Sequence, residues 1–190
     1  MDPFEISFEE TERMEGRNLS NVKGDPGKET YAGISRVYWK SWMGWPIIDR
    51  YKKDGKVPLA VQKELLPHVK KFYRINFWDR FQGDEVALVS LPVAKELFDT
   101  SVNMGVTRAV EFLQIALNML NQHGKTYPDI KVDGQLGSIT IKTLGRCIVS
   151  RPGSDELNES ILLNCMNGEQ YIHYKNNPLH EGFRGWFRRV

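Results

Sequence analysis

The sequence predicts a mainly α fold with one small hairpin or loop after its first helix. Three observations carry that reading. Apolar residues recur at spacings of three and four along 61–81 and 91–121, turn-forming residues crowd into 16–34, and the strand–helix–strand alternation of a parallel sheet is missing.

Residues 5–15 are predicted as a short helix. Ile6, Phe8, Thr11 and Met14 follow helical spacing, and acids sit early in the run, where the helix dipole favours them. Residues 16–34 carry Lys23-Gly24-Asp25-Pro26-Gly27, dense turn chemistry that fits an irregular loop or small hairpin. Residues 35–54 hold Trp39, Trp42 and Trp45 with Ile47, Ile48 and Tyr51; Pro46 divides this stretch into two short helical pieces. Residues 61–81 form a stronger helix, with Leu65, Val69, Phe72 and Tyr73 on one face and Pro67 marking a turn or kink.

The segment 91–121 breaks at Asn103-Met104-Gly105. Its second half places Val106, Ala109, Val110, Leu113, Leu117 and Leu120 inward, which suits a central buried helix. Asp133-Gly134 is a turn, and Ser138 is a candidate N-cap for a helix to about 149. Arg151-Pro152-Gly153 is another break, followed by a helix over 155–176 and a short amphipathic one over 180–190.

Of the 190 residues, 41% are hydrophobic and 26% charged, ordinary values for a folded chain. A net charge of +2 suits an anionic polymer but lacks the clustered basic stripe of a nucleic-acid binder. Cys147 and Cys165 are read as small core hydrophobes. The four histidines share no spacing, so neither a metal nor any other cofactor is expected. The acidic start, MDPFEISFEE, is unlike a secretory signal, and no stretch is apolar enough to span a membrane. The expectation is synthesis in the cytoplasm, with a holin or secretion system releasing the protein if it acts outside.

Chemistry concentrates between Glu15 and Ile34. Glu15 closes the first helix, a glycine follows, and the turn-rich loop supplies Asp25, Glu29 and Thr30. Glycoside hydrolysis needs one protonated carboxylic acid at the leaving oxygen and usually a second carboxylate to activate water or to attack. A Glu at a helix end, partly desolvated, suits the acid role. Asp25 or Glu29 can supply the second carboxylate, and Thr30 can hold the attacking water by a hydrogen bond. Glu29 and Tyr31 are also candidate substrate contacts.

Glu15-Gly16, then Asp25-Pro26-Gly27-Lys28-Glu29-Thr30, then Gly33-Ile34, resembles the signature of glycoside hydrolase family 108, a family of phage and bacterial N-acetylmuramidases. Phe72-Tyr73-Arg74 with Phe77-Trp78-Asp79, Leu97-Phe98-Asp99, Asn103-Met104-Gly105 and Gly185-Trp186 resemble further family segments in the same order. Asp133-Gly134-Gln135-Leu136-Gly137 with Thr140 looks like an element of a peptidoglycan-binding region often joined to that family.

The resemblance implies a lysozyme-like fold and cleavage of the β-1,4 bond between N-acetylmuramic acid and N-acetylglucosamine. It also implies inversion, peptidoglycan glycan strands as partner, and Glu15 as general acid. Arg17, Asn18 and Lys28 depart from the pattern, and Arg17 and Lys28 add positive charge near the expected cleft. They motivate an alternative: a non-catalytic peptidoglycan-binding or secretion-associated protein on the same fold.

The expected division is a lysozyme-like catalytic region over 1–95 and a helical peptidoglycan-binding-like region over 96–190, packed into one compact unit. Within it, Asn103 is a candidate glycan contact. Of Trp39, Trp42 and Trp45, core packing is the first reading, with one of them available to line a cleft.

Overall fold

The computed structural model describes residues 2–15, 18–21, 29–149 and 154–177. Within them, eight α-helices and a three-stranded sheet run in the order α1 (Pro3–Glu15), β1 (Leu19–Asn21), β2 (Glu29–Tyr31), β3 (Ile34–Ser35), α2 (Gly44–Tyr51), α3 (Leu59–Tyr73), α4 (Gly83–Val89), α5 (Leu91–Met104), α6 (Val106–Leu120), α7 (Ser138–Val149) and α8 (Asp155–Asn176). The mainly α reading holds, and the predicted hairpin gains a third strand. The helix predicted over 180–190 lies outside the described residues. The chain divides into two compact units, Met1–Asn76 and Phe77–Val190.

In the first unit, α1 starts where Asp2 accepts the Phe4 N–H at 3.0 Å. Pro3 occupies the first helical position, where a missing N–H removes no intrahelical bond. Phe4 and Phe8 bury α1 against α3, with the Phe8 and Tyr73 rings 5.5 Å apart, edge to face. Cations close the contact. Lys70 pairs with Glu5 and lies over Phe8, while Arg74, just beyond α3, pairs with Asp2 at 3.0 Å and lies over Phe4.

β2 and β3 form a two-residue hairpin. Ala32 and Gly33 at its tip have φ of +45° and +74°, the paired positive values that match the twist of the flanking strands. The Tyr73 hydroxyl donates to the Ala32 carbonyl at 2.9 Å inside the core, so α3 holds the turn in place.

Two prolines behave differently from expectation. Pro46 is the third residue of α2 and does not divide it. An N–H in the first turn has no intrahelical acceptor to lose. Pro67 lies inside α3, which runs on to Tyr73. The carbonyl it frees, on Lys63, belongs to an exposed residue, where water can satisfy it. α3 then passes into a π-helical turn, Arg74–Trp78, and the chain enters the second unit within that turn.

In the second unit, α6 packs against α5, α7 and α8, the central position predicted for it. Gly105 (φ +86°) separates α5 from α6 at the predicted break. Ser90 caps α5 by accepting the Val93 N–H at 3.0 Å, and Ser154 caps α8 by accepting that of Leu157 at 3.2 Å. Ser138 is the first residue of α7 and not its cap, since Ile141 N–H already donates to the Gly137 carbonyl. Cys147 is buried and Cys165 half-buried.

α4 was not foreseen. Its seven residues are too short for a readable period, and tertiary contacts hold it: Val86 is fully buried, and the Trp78 indole N–H donates to Asp84 at 2.9 Å.

Candidate functional site

The signature residues occupy the start of the first unit. Glu15 is the last residue of α1, and β1 and β2 flank the connection that contains Asp25. The Glu15 side chain, Asp25, Arg17 and Lys28 lie outside the described residues. Glu29, Thr30 and Tyr31 are the three residues of β2.

Strand alternation separates the roles of these three. Tyr31 points inward; it is 1% exposed and stacks on Trp42 with ring centroids 6.1 Å apart. Thr30 takes the other face. The register pairs Thr30 with Ser20 on one side and Ser35 on the other. Directly paired residues share a face, so Ser20, Thr30 and Ser35 form a row of hydroxyls across the sheet. Such a row can hold water or sugar hydroxyls. Sequence reasoning named Thr30 alone, because the register that aligns the two serines with it is non-local.

Glu29 lies at the outer end of β2 in a cluster of four charges. Its carboxylate is 2.6 Å from Arg36 Nε and 2.8 Å from Lys52 Nζ. The Nε contact is close but not aligned as a hydrogen bond. Arg36 also grips Asp49 with both terminal nitrogens, at 2.8 and 2.9 Å, and its guanidinium lies over the Trp45 ring at 4.3 Å.

Hydrogen bonds from Arg36 hold the Asp49 carboxyl below the usual carboxylate range. Lys52 is raised by its hydrogen bond to Glu29, and Arg36 by its bond to Asp49. None of Arg36, Asp49 or Lys52 was singled out in the sequence; the link needs α2 folded back beside β2.

In the second unit, Asn103 is exposed near the end of α5. Its side-chain amide donates to the Asp99 carbonyl at 2.7 Å, one helical turn back. The Asp133–Thr140 element is organised by a buried side chain on α6. Gln114, 1% exposed, accepts the backbone N–H groups of Asp133 and Gly134 at 3.0 and 2.9 Å. Its amide donates to Asp133 Oδ1 at 3.0 Å and to the Gln135 carbonyl at 3.1 Å.

One turn further along α6, Asn118 exchanges two hydrogen bonds with the backbone of Ile130, at 2.8 and 2.9 Å. The Gln114 bond and the Gln135 N–H lower the Asp133 carboxyl below its ordinary range. The loop and the start of α7 enclose a cavity of ≈ 310 Å³ lined by Gln114, Asp133, Gln135 and Thr140 among others.

Residues 8–105 match the family Glycosyl hydrolase 108, and residues 108–190 match a domain described as Predicted Peptidoglycan domain. A solved structure of Brucella abortus SagA superposes on the chain with a TM-score of 0.62 at 22% identity, covering 98% of this chain and 88% of that one. No curated protein shows significant similarity to the chain.

The mainly α fold and these matches define a lysozyme-like protein that acts on peptidoglycan. The chain belongs to the glycosyl hydrolase 108 family.

Proposed function

We propose that the protein is an N-acetylmuramidase, cleaving the β-1,4 bond between N-acetylmuramic acid and N-acetylglucosamine with Glu15 as general acid. The observation that carries this reading is the order of the signature on the fold. Glu15 closes α1, Asp25 falls in the β1–β2 connection, and Thr30 lies in the hydroxyl row of β2, all within the stretch matching Glycosyl hydrolase 108.

In this scheme Glu15 donates its proton to the glycosidic oxygen as the bond to the anomeric carbon breaks. Asp25 takes a proton from the attacking water, and Thr30 orients that water. Inversion calls for two carboxylates about 6.5–9.5 Å apart, a separation that leaves room for the water. Glu29 serves by a different route. Paired with Arg36 and Lys52, it anchors the outer end of β2 and positions Thr30 beside it. Asn103 contacts the glycan. The protein acts on the cell wall after release through a holin or a secretion system.

The test is digestion of purified peptidoglycan by the wild type and by Glu15→Gln, identifying the new reducing ends. Muramic acid ends that fall by about 10²–10⁴ in the variant fit a lost general acid. Wall binding without any release of reducing ends would replace this reading with the non-catalytic one.

A further inference from the structure

Of the three tryptophans spaced by three residues, two are core and one is not. Trp42 and Trp45 are 9% and 2% exposed, whereas Trp39 is 38% exposed. Trp39 borders an open cavity of ≈ 450 Å³ in the first unit, together with Trp42, Phe72, His68, Lys71 and Asn76. That volume falls in the range of small-ligand sites, roughly 300–1,000 Å³.

The cavity is rigid where it is aromatic. Phe72 meets the Trp39 ring edge-on at 4.8 Å and 87°, which fixes the ring while leaving part of it to solvent. The Trp45 indole donates to the Trp39 carbonyl at 2.8 Å, and the Trp42 indole donates to the His68 carbonyl at 3.3 Å. Both the backbone and the inner wall are therefore held before any ligand arrives. The rim is mixed: Ser41, His68, Lys71 and Asn76 bring polar groups around the aromatic floor, and exposed Met43 and Ile75 bring apolar ones. The Asn76 amide donates to the Phe72 carbonyl, which orients that side chain at the edge.

An aromatic floor with a hydrogen-bonding rim matches the two-sided chemistry of a pyranose, whose axial C–H groups form an apolar face and whose substituents are polar. The wall is braced by the β-sheet's inner face, opposite to the Thr30 hydroxyl row. Tyr31, next to Thr30 in β2, stacks on Trp42, which lines the cavity. We propose that this cavity is a glycan subsite that takes an N-acetylhexosamine ring of the wall polymer against Trp39. The choice of ligand class rests on the muramidase reading.

The experiment uses the full chain and an N-acetylglucosamine tetramer as soluble probe, with affinity measured by calorimetry and hydrolysis measured separately on peptidoglycan. Trp39→Ala should weaken tetramer binding about tenfold, the scale of one lost stacking contact, and raise KM by a similar factor with little change in kcat. Trp39→Tyr should recover most of the affinity. Ile75→Arg, at a half-exposed rim position, should obstruct the cavity and weaken binding without touching the core, so the result does not depend on Trp39→Ala folding well.

Unchanged affinity and KM in both Trp39→Ala and Ile75→Arg would overturn the subsite. So would loss of self-association in these variants with sugar affinity intact, which would make the cavity a contact between copies. Failure of the muramidase reading is distinguishable: tetramer binding that depends on Trp39, without Glu15-dependent release of reducing ends, would leave the subsite standing and remove only the catalysis.

Discussion

Glu29 and Arg36 are joined twice across the β2–β3 hairpin. The Arg36 backbone N–H donates to the Glu29 carbonyl at 2.8 Å, and Arg36 Nε lies 2.6 Å from the Glu29 carboxylate. The first is a backbone hydrogen bond just past the end of β3 and the second an ion-pair contact between side chains, so the hairpin's register and its charge cluster support each other. The arrangement gives Glu29 a structural task and leaves Asp25 as the second carboxylate of the proposed reaction.

Glu29→Gln should therefore lower kcat on peptidoglycan by less than about tenfold, while Asp25→Asn should lower it by about 10²–10⁴. The Glu29 side chain is 16% exposed and its partners 30% and 34%, so solvent screens the pairs only in part and Glu29→Gln should lower stability by about 0.5–3 kcal/mol. A kcat loss in Glu29→Gln equal to that of Asp25→Asn would make Glu29 a catalytic group.

Glu96 on α5 sets an opposite pH dependence from Asp49. Burial pushes its carboxyl above the ordinary range, against the lowering effect of hydrogen bonds from Thr100 and Gln170. A raised value means the fold favours the protonated form. That contribution is complete below the ordinary Glu value of about 4.3 and is lost as pH rises through the folded value. Glu96→Gln, which mimics the protonated acid, should melt higher than the wild type at pH 7–8 and converge with it below about pH 4. Parallel melting curves across that window would refute the prediction.

Asp49 works the other way. Its value is lowered, so its contribution is present above the ordinary Asp value of about 3.9 and disappears as pH falls through the folded value. Asp49→Asn should flatten the acid limb of the pH–melting curve and leave Glu96 behaviour untouched. An unchanged acid limb would show that the Arg36 contact carries no linkage.

Tyr73→Phe should destabilise the first unit by about 1–3 kcal/mol, because it strands the buried Ala32 carbonyl. Ala32 already adopts positive φ, so the hairpin tip has little to lose before it shifts. Urea unfolding measures the effect; a change below about 0.5 kcal/mol would mean that water replaces the hydroxyl.

Gly134→Ala tests the loop clamped by Gln114. Gly134 has φ of +67°, and a Cβ there would meet Thr107 Cγ2 at 2.4 Å and the Thr107 carbonyl at 2.9 Å. The variant should lose about 1–3 kcal/mol and weaken wall binding if the loop carries it. Gln114→Leu, which strands the N–H groups of Asp133 and Gly134, should lower stability by a similar amount. Thermal melts and pelleting with insoluble peptidoglycan read out both variants.

Much of the fold was legible because its cues are local. The helical spacing of Val110, Leu113 and Leu117 marks a buried face, Asn103-Met104-Gly105 marks a break, and 155–176 matches α8 residue for residue. The order Glu15, Asp25, Thr30 is likewise written in the chain, and it points to a family and a chemistry before any coordinate exists.

Tertiary structure decided what depends on distant partners. Spacing treats Trp39, Trp42 and Trp45 alike; only the packing of α2 and α3 buries two and leaves one open at a cavity. Alternation cannot tell which face of a three-residue strand turns inward, so Tyr31 reads as a substrate contact until its ring is found stacked on Trp42. Pro67 reads as a turn or kink, yet α3 runs on past it to Tyr73, with the carbonyl it frees on the exposed Lys63. The sequence by itself determined periodicity, turns and the chemical inventory, because neighbouring residues set these through local hydrogen bonding and side-chain spacing. Register, burial and charge pairing arise between residues far apart in the chain, and these only the folded structure could assign.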